Sequence, residues 1–259
     1  MTTVIALANQ KGGVGKTTTA INLGAAVAAR DKRVLIIDLD PQANATSGLG
    51  LRPDDEASMY QVLMGQKTLT DVILATASER LFVVPSSPDL AGAEVELAAM
   101  MAREYRLKRA METGLESFDI VFIDCPPSLG LLTVNGLAAA DEVIVPVQCE
   151  YLALEGLGQL THTLDLVRRN LNTRLELRGL LLTMYDKRTS LSQQVAEEVR
   201  RHFANTFHAI IPRNVRVSEA PSHGVPINVY DPRSPAALAY DEAAEELLAD
   251  ARRKAEVAS

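Results

Sequence analysis

The stretch that decides the fold is Val4-Ile5-Ala6-Leu7-Ala8-Asn9-Gln10-Lys11-Gly12-Gly13-Val14-Gly15-Lys16-Thr17-Thr18-Thr19. Val4 to Ala8 is a short apolar run, as a buried strand requires. A glycine-rich loop follows. From Thr18 to Arg30, apolar Ala20, Leu23, Ala26 and Val27 recur at helical spacing. Strand, glycine loop and helix in this order make a phosphate-binding loop. The glycines let backbone N–H groups converge on an anion, and the helix N-terminus adds its free donors and positive dipole end. Lys16 has the reach for the β- and γ-phosphates of a nucleotide, and the Thr17 hydroxyl suits Mg²⁺. The nucleotide-contacting run is therefore Lys11, Gly12, Gly13, Val14, Gly15, Lys16, Thr17 and Thr18.

The usual spacing G-x-x-x-x-G-K-[ST] would put its first glycine at position 10, where Gln10 stands. The loop instead opens with a second lysine, Lys11. That side chain is badly placed for its own phosphates from the helix side and can lean toward a neighbouring subunit. The bland alternative is a solvated lysine on a glycine turn. It carries little weight, because strand, loop, Gly-Lys-Thr and helix all coincide.

Lys11-Gly-Gly-Val-Gly-Lys-Thr-Thr18 resembles the deviant Walker A motif of the ParA/MinD superfamily. Ala8-Asn9-Gln10 and Asp38-Leu39-Asp40-Pro41-Gln42-Ala43-Asn44-Ala45-Thr46 are similar to its chromosomal ParA (Soj) branch. The resemblance runs over nearly the whole chain. It implies an α/β fold, a mostly parallel twisted sheet with helices on both faces. It also implies an ATPase that binds ATP/ADP and Mg²⁺, forms an ATP-sandwich homodimer, and binds double-stranded DNA nonspecifically. A ParB-type centromere-binding protein would stimulate hydrolysis, and the location would be cytoplasmic and nucleoid-associated.

The remaining signals follow the chain. Val34-Leu35-Ile36-Ile37 reads as a buried parallel strand ending at Asp38, and ligands gather at the carboxyl ends of such strands. Pro41 to Gly50 reads as a mobile loop or irregular helix, with Asp40 as its N-cap in a purely structural account. The resemblance instead makes this segment switch I and has Asp40 orient the attacking water, so Lys11, Lys16 and Asp40 are the expected catalytic set. Asp38 is expected in a supporting role near Mg²⁺. Asp119-Ile120-Val121-Phe122-Ile123-Asp124 is a Walker B strand, with Asp124 holding Mg²⁺ through water. Cys125-Pro126-Pro127 stiffens the following turn, which is switch II in the resembled family. The expected metal set is thus Thr17, Asp38 and Asp124.

Helices are expected over 59–64, 89–101, 107–115 and 191–203, and strands over 81–84, 142–147, 175–184, 209–211 and 226–230. The segment after the 142–147 strand, Tyr151-Leu152-Ala153-Leu154-Glu155-Gly156-Leu157, also resembles the family. Pro212 to Ser222 resembles its adenine-side loop, which puts Pro212, Asn214 and Met184 near the base. Basic Lys187, Arg188, Arg213, Arg216 and Arg233 lie in late loops, and the resemblance favours Arg188 and Arg216 for DNA. The alternative is solvated charge, or pairing of Arg213 and Arg216 with Glu219.

Composition narrows the classes further. The chain has 259 residues, 47% hydrophobic and 23% charged, with no Trp. With no linker or repeat, one domain over 1–259 is expected. A net charge of −7 argues against a globally basic nucleic-acid binder, so any DNA contact needs a local patch. Cys125 and Cys149 adjoin apolar runs and read as buried thiols in a reducing cytosol. They lack the paired spacing of an iron–sulfur carrier, which disfavours a redox or ligase relative. A MinD-like membrane-cycling ATPase is the alternative function. It needs a bulky apolar tail helix, whereas the tail after Leu248 offers mainly alanine on its apolar side, so no membrane partner is expected.

Overall fold

The computed structural model describes residues 2–52, 56–150 and 153–258, and the side chains of these apart from 153–156 and 250–258. Residues 53–55, Tyr151-Leu152 and the side chains of the tail therefore lie outside the described residues. The strands are β1 Thr3–Leu7, β2 Val34–Asp38, β3 Leu74–Ala75, β4 Leu81–Val84, β5 Ile120–Asp124, β6 Glu142–Gln148, β7 Glu176–Tyr185 and β8 Thr206–Pro212. The helices are α1 Lys16–Ala28, α2 Asn44–Gly48, α3 Met59–Met64, α4 Leu90–Ala98, α5 Arg106–Ala110, α6 Leu131–Ala139, α7 Ala153–Asn170, α8 Ser190–His202, α9 Val215–Glu219, α10 Ile227–Tyr230 and α11 Pro235–Ala258.

Among the described residues one eight-stranded sheet forms, in the order β3-β4-β2-β5-β1-β6-β7-β8. Every pairing is parallel except β3 with β4. From β1 the chain steps outward through β2 and β4, returns to insert β5 beside β1, and then builds β6 to β8 on the other side. The reversal sits around β1 and β5, and a crevice opens there outside the carboxyl ends of the strands.

Both faces of the sheet are covered, which is why its strands read as unbroken apolar runs. Ile5, Leu7, Val34 and Ile36 pack with Leu23 and Val27 of α1 and with Tyr240 and Ala243 of α11. Val4, Ala6, Leu35 and Ile37 face the opposite layer, with Leu63 of α3, Leu97 of α4, Leu137 of α6, Leu164 of α7 and Val199 of α8. With no Trp, close-packed aliphatic side chains fill both layers. Among the described residues no helix is long and apolar enough to cross a membrane.

The structure differs from the sequence-based expectation in a few places. Residues 226–230 form a helical turn, not a strand. The Ile227 N–H donates to Asn22 Oδ1 at 2.7 Å, so no sheet partner holds it, and only Ile227 of α10 is buried. The stretch 131–139, for which periodicity gave no assignment, is α6. Gly136 lets it approach β5 closely: a Cβ there would stand 2.8 Å from Cys125 Sγ. Asp40 does not cap α2, whose N-cap is Ala43 in a left-handed conformation.

Two glycines far apart in sequence meet backbone to backbone. Gly50, after α2, and Gly224, before α10, have φ of 77° and 67°. A Cβ on Gly224 would lie 2.6 Å from Gly50 Cα, and one on Gly50 would lie 3.0 Å from the Gly224 carbonyl oxygen. Gly224→Ala is expected to cost about 1–2 kcal/mol for the left-handed backbone alone, and more for the clash. Urea unfolding monitored by circular dichroism will read this as a lowered midpoint. An unchanged midpoint contradicts the contact.

Candidate nucleotide-binding site

Gly13 and Gly15 hold φ of 74° and 93°, which bends the loop between β1 and α1 into a concave nest of N–H groups. Three long-range contacts fix its shape. Asn9 is buried, its amide donates to the Pro146 carbonyl at 2.8 Å, and its Oδ1 accepts the Lys11 N–H at 3.0 Å. The Thr183 hydroxyl, from β7, donates to the Val14 carbonyl at 2.8 Å. Lys16 Nζ, at the start of α1, donates to the Lys11 carbonyl at 3.3 Å across the loop. Burial lowers the Lys16 pKa, opposed first by the nearby Asp124 charge. Lys11 turns away and pairs with Glu150 at 3.3 Å. Gly12 has room for a side chain, with only Pro127 Cβ near, at 3.8 Å.

The acids stand at the mouth of this nest because the sheet register puts them there. Asp38 of β2 is paired in register with Asp124 of β5, which is also paired with Leu7 at the end of β1. Both Asp38 and Asp124 are fully buried. Asp38 Oδ2 accepts from the Thr46 N–H at 2.9 Å and the Thr46 hydroxyl at 2.7 Å, and its Oδ1 accepts from the Asp40 N–H at 3.2 Å. Burial pushes its pKa up, against the hydrogen bonds from Thr46. Asp124 is different: neither oxygen has a hydrogen-bond partner. Burial and then the neighbouring Asp38 push its pKa well up, while the Thr17 hydroxyl, beside it but short of hydrogen-bond geometry, pulls the other way. A buried carboxylate with both oxygens unpaired, next to a hydroxyl at a phosphate loop, fits a hard divalent cation. Asp38 has its oxygens committed to protein donors and fits a supporting role. Asp40 is buried, and its Oδ1 accepts from the Gln42 N–H at 3.0 Å.

Met184, Pro212 and Asn214, the residues expected near the base, line a cavity of about 300 Å³ with Gly15, Thr18 and Tyr240. Met184 has φ of 51°, a left-handed backbone rare for a side chain of that size. The Asn214 side chain is the N-cap of α9, accepting from the Arg216 N–H at 2.9 Å. A larger hollow of about 550 Å³ lies at the amino ends of the strands, lined by Thr3, Asp119, Asp141 and Arg178, and has no part of the phosphate loop in its walls.

Arg188 lines a neighbouring cavity of about 460 Å³ with Lys187, Arg213 and Asn214. Its guanidinium grips Asp186 through two bonds at 2.9 and 2.7 Å, and this holds the Asp186 carboxyl well below the usual range. Arg216 pairs with Glu219 at 2.9 Å, and the Tyr230 hydroxyl donates to the same carboxylate at 3.2 Å. The pairing of Arg216 with Glu219 raised in the sequence analysis is therefore present, that of Arg213 is not seen among the described ion pairs, and both DNA candidates are exposed but partnered.

Residues 2–177 match the AAA domain family. The chain is 55% identical to the sporulation initiation inhibitor protein Soj of Bacillus subtilis, over 95% of this chain and 98% of that one. It is 52% identical to the chromosome partitioning protein ParA of Caulobacter vibrioides, over 96% and 95% of the two chains. The chain belongs to the ParA/Soj chromosome-partitioning family. Among solved structures it is similar to a cobyrinic acid a,c-diamide synthase from Mycobacterium smegmatis with bound ADP and magnesium. That match has a TM-score of 0.82 at 42% identity and covers 96% of this chain and 94% of the other. The Pyrococcus furiosus cell division ATPase MinD aligns with a TM-score of 0.80 at 28% identity, over 95% and 98% of the chains. Both likenesses agree with a parallel P-loop sheet of the ParA/MinD type.

Sequence reading missed the residues that hold this ParA/Soj site in shape. Asn9 and Thr46 stand inside the quoted motifs, but Asn9 reaches Pro146 and Thr46 takes the Ser86 N–H, both far away in sequence. Thr183 had no local signal at all. Lys16→Ala removes the lysine that reaches across the loop and is expected to abolish nucleotide binding. Equilibrium titration with a fluorescent ATP analogue measures this, and near-parental affinity would overturn the phosphate-loop assignment.

Proposed function

We propose that the chain is an ATP-dependent molecular switch for chromosome or plasmid segregation, acting as one ATPase domain over 1–259. Mg-ATP binding drives a sandwich homodimer, the dimer binds double-stranded DNA nonspecifically on the nucleoid in the cytoplasm, and hydrolysis releases it. A ParB-type centromere-binding protein stimulates that hydrolysis.

The observation that carries this reading is the buried Asp124 carboxylate, with two unpaired oxygens, beside Thr17 and Lys16 at the phosphate loop. Thr17 and Asp124 hold Mg²⁺, with Asp38 in support. Bound there, the cation would supply charge neutralisation at the phosphate oxygens. Backbone N–H groups from Gly12 to Thr18 and the Lys16 ammonium cradle the phosphates. Met184, Pro212 and Asn214 meet the adenine. Asp40 orients a water for in-line attack on the γ-phosphorus; the new P–O bond forms as the bond to the ADP oxygen breaks. Lys11 leaves Glu150 and reaches the phosphates bound in the partner subunit, so dimerisation supplies a charge that the monomer keeps elsewhere. A single ammonium from each side fits a slow timer better than a fast enzyme.

Asp40→Ala is expected to keep ATP binding, to lower hydrolysis by about 100-fold or more, and to accumulate an ATP-bound dimer. Phosphate release and light scattering read the two effects. Continued hydrolysis with only monomer present would remove Asp40 from the mechanism.

Arg216→Ala is expected to retain ATP-dependent dimerisation, to lose ATP-dependent DNA binding across all sequences, and to show a shallower salt slope. Gel shifts at several salt concentrations beside light scattering decide it. A dimer that binds DNA with the parental slope puts the DNA face elsewhere.

A further inference from the structure

We infer that Thr46 is a positioning residue for Asp40, acting through the Asp38 carboxylate. This rests on the proposed role of Asp40 in orienting water.

Asp40 is held by its backbone. Its N–H donates to Asp38 Oδ1 at 3.2 Å, and its carbonyl accepts the Ala43 N–H at 2.9 Å. The position of Asp40 therefore follows the orientation of Asp38. That orientation is decided at the other oxygen. Oδ2 takes two donors from one residue, the Thr46 N–H at 2.9 Å and the Thr46 hydroxyl at 2.7 Å, the shortest contact the carboxylate makes. The hydroxyl is itself fixed. It has one proton, spent on Asp38, and it accepts the Ser86 N–H at 3.0 Å, from the segment just past β4. Thr46, Asp38 and Ser86 are all fully buried. No water competes for these groups, and the geometry is set by the protein alone.

The arrangement clamps the first half of switch I between two atoms of one side chain. Asp38 Oδ1 holds Asp40, where the segment begins, and Oδ2 holds Thr46, inside α2. Between them Ala43 takes a left-handed φ of 51°, a conformation that persists only where its surroundings impose it. Ser86, on the neighbouring strand end, ties the clamp to the sheet. A water-orienting carboxylate must be placed to within a fraction of an ångström, and rigid supporting hydrogen bonds are what achieve this.

The hydroxyl and the methyl group of Thr46 make separable contributions. Thr46→Val keeps the shape and removes the hydroxyl. Thr46→Ser keeps the hydroxyl and removes a methyl group. If the residue only filled space, valine would be tolerated and serine would not. The positioning role predicts the reverse order.

The test compares the parent, both variants and Asp40→Ala. Each is measured for ATP-analogue affinity by fluorescence titration and for single-turnover hydrolysis of Mg-ATP with the protein in saturating excess. Thr46→Val is expected to bind nucleotide within about twofold of the parent and to hydrolyse it about 10- to 100-fold more slowly. Thr46→Ser is expected to recover most of the rate. Parental hydrolysis in Thr46→Val, or serine as slow as valine, overturns the proposal. Hydrogen–deuterium exchange on the unaltered protein gives a readout independent of any variant. The Asp40 and Thr46 amides are expected to be protected, and exchange at the rate of an open loop overturns the clamp even if Thr46→Val does not fold. Asp40→Ala separates the layers of the argument. If it keeps hydrolysing, the role of Asp40 fails and the positioning role falls with it; if it stops while Thr46→Val continues, only the positioning role fails.

Discussion

Two carboxylates buried side by side are the constraint on which the site depends. The β2–β5 register brings Asp38 opposite Asp124 at the carboxyl ends of neighbouring strands, both out of contact with solvent. Each charge raises the cost of the other, and burial raises the cost of both. The protein meets this cost for Asp38 with three hydrogen bonds and leaves Asp124 without any. Asp124 is thus a carboxyl whose hydrogen-bonding capacity folding alone does not satisfy, and its raised pKa marks the cost of charging it. Burial lowers the Lys16 pKa, and the neighbouring Asp124 works against that shift. A buried carboxyl so placed suits a divalent cation, which would bring the charge that the site lacks.

The loops around these acids are held by contacts between distant parts of the chain. Asn9 reaches the Pro146 carbonyl near the end of β6, and Thr183 of β7 reaches the Val14 carbonyl. Gly50 and Gly224 bring the end of α2 against the turn before α10. The phosphate loop is therefore tied to the β6–β7 side of the sheet, and Gly15 and Thr18 of that loop also line the cavity of Met184, Pro212 and Asn214.

Much of this was legible before any coordinates, for a physical reason. Strands buried on both faces must be continuous apolar runs, so Val34–Ile37 and Ile120–Ile123 announce themselves, and the acids that end them fall at the ligand-binding edge. Glycines with left-handed backbone mark the phosphate loop. The misses share a cause as well. Residues 226–230 have strand-like composition, but the deciding contact is Asn22, from a helix about two hundred positions earlier. α6 carries Gly136 where it approaches β5 closely, and its apolar residues run almost all round the helix, so its sequence shows no polar face to mark a helical period. Asp124 looks like any apolar run ending in Asp; the vacancy of its hydrogen-bonding capacity exists only once the sheet is assembled. Thr46 and Thr183 are ordinary polar residues until the fold supplies their partners.

The arginines pose the opposite problem to Asp124, since they are already satisfied. Arg188 holds Asp186 with two bonds, and Arg216 shares Glu219 with Tyr230. A DNA phosphate must displace or share these carboxylates, so each arginine gains only the difference between two anions. At exposed positions that difference is small and screened by salt. On a chain with a net charge of −7, one such exchange per monomer is a weak hold on a polyanion. Doubling the patch in a two-fold dimer changes the arithmetic, because the second set of contacts is made at high effective concentration once the first is in place. Under the proposed function, paired arginines on an acidic protein would make DNA affinity contingent on dimerisation. If dimerisation is in turn contingent on ATP, the nucleotide governs DNA binding without contacting the DNA face.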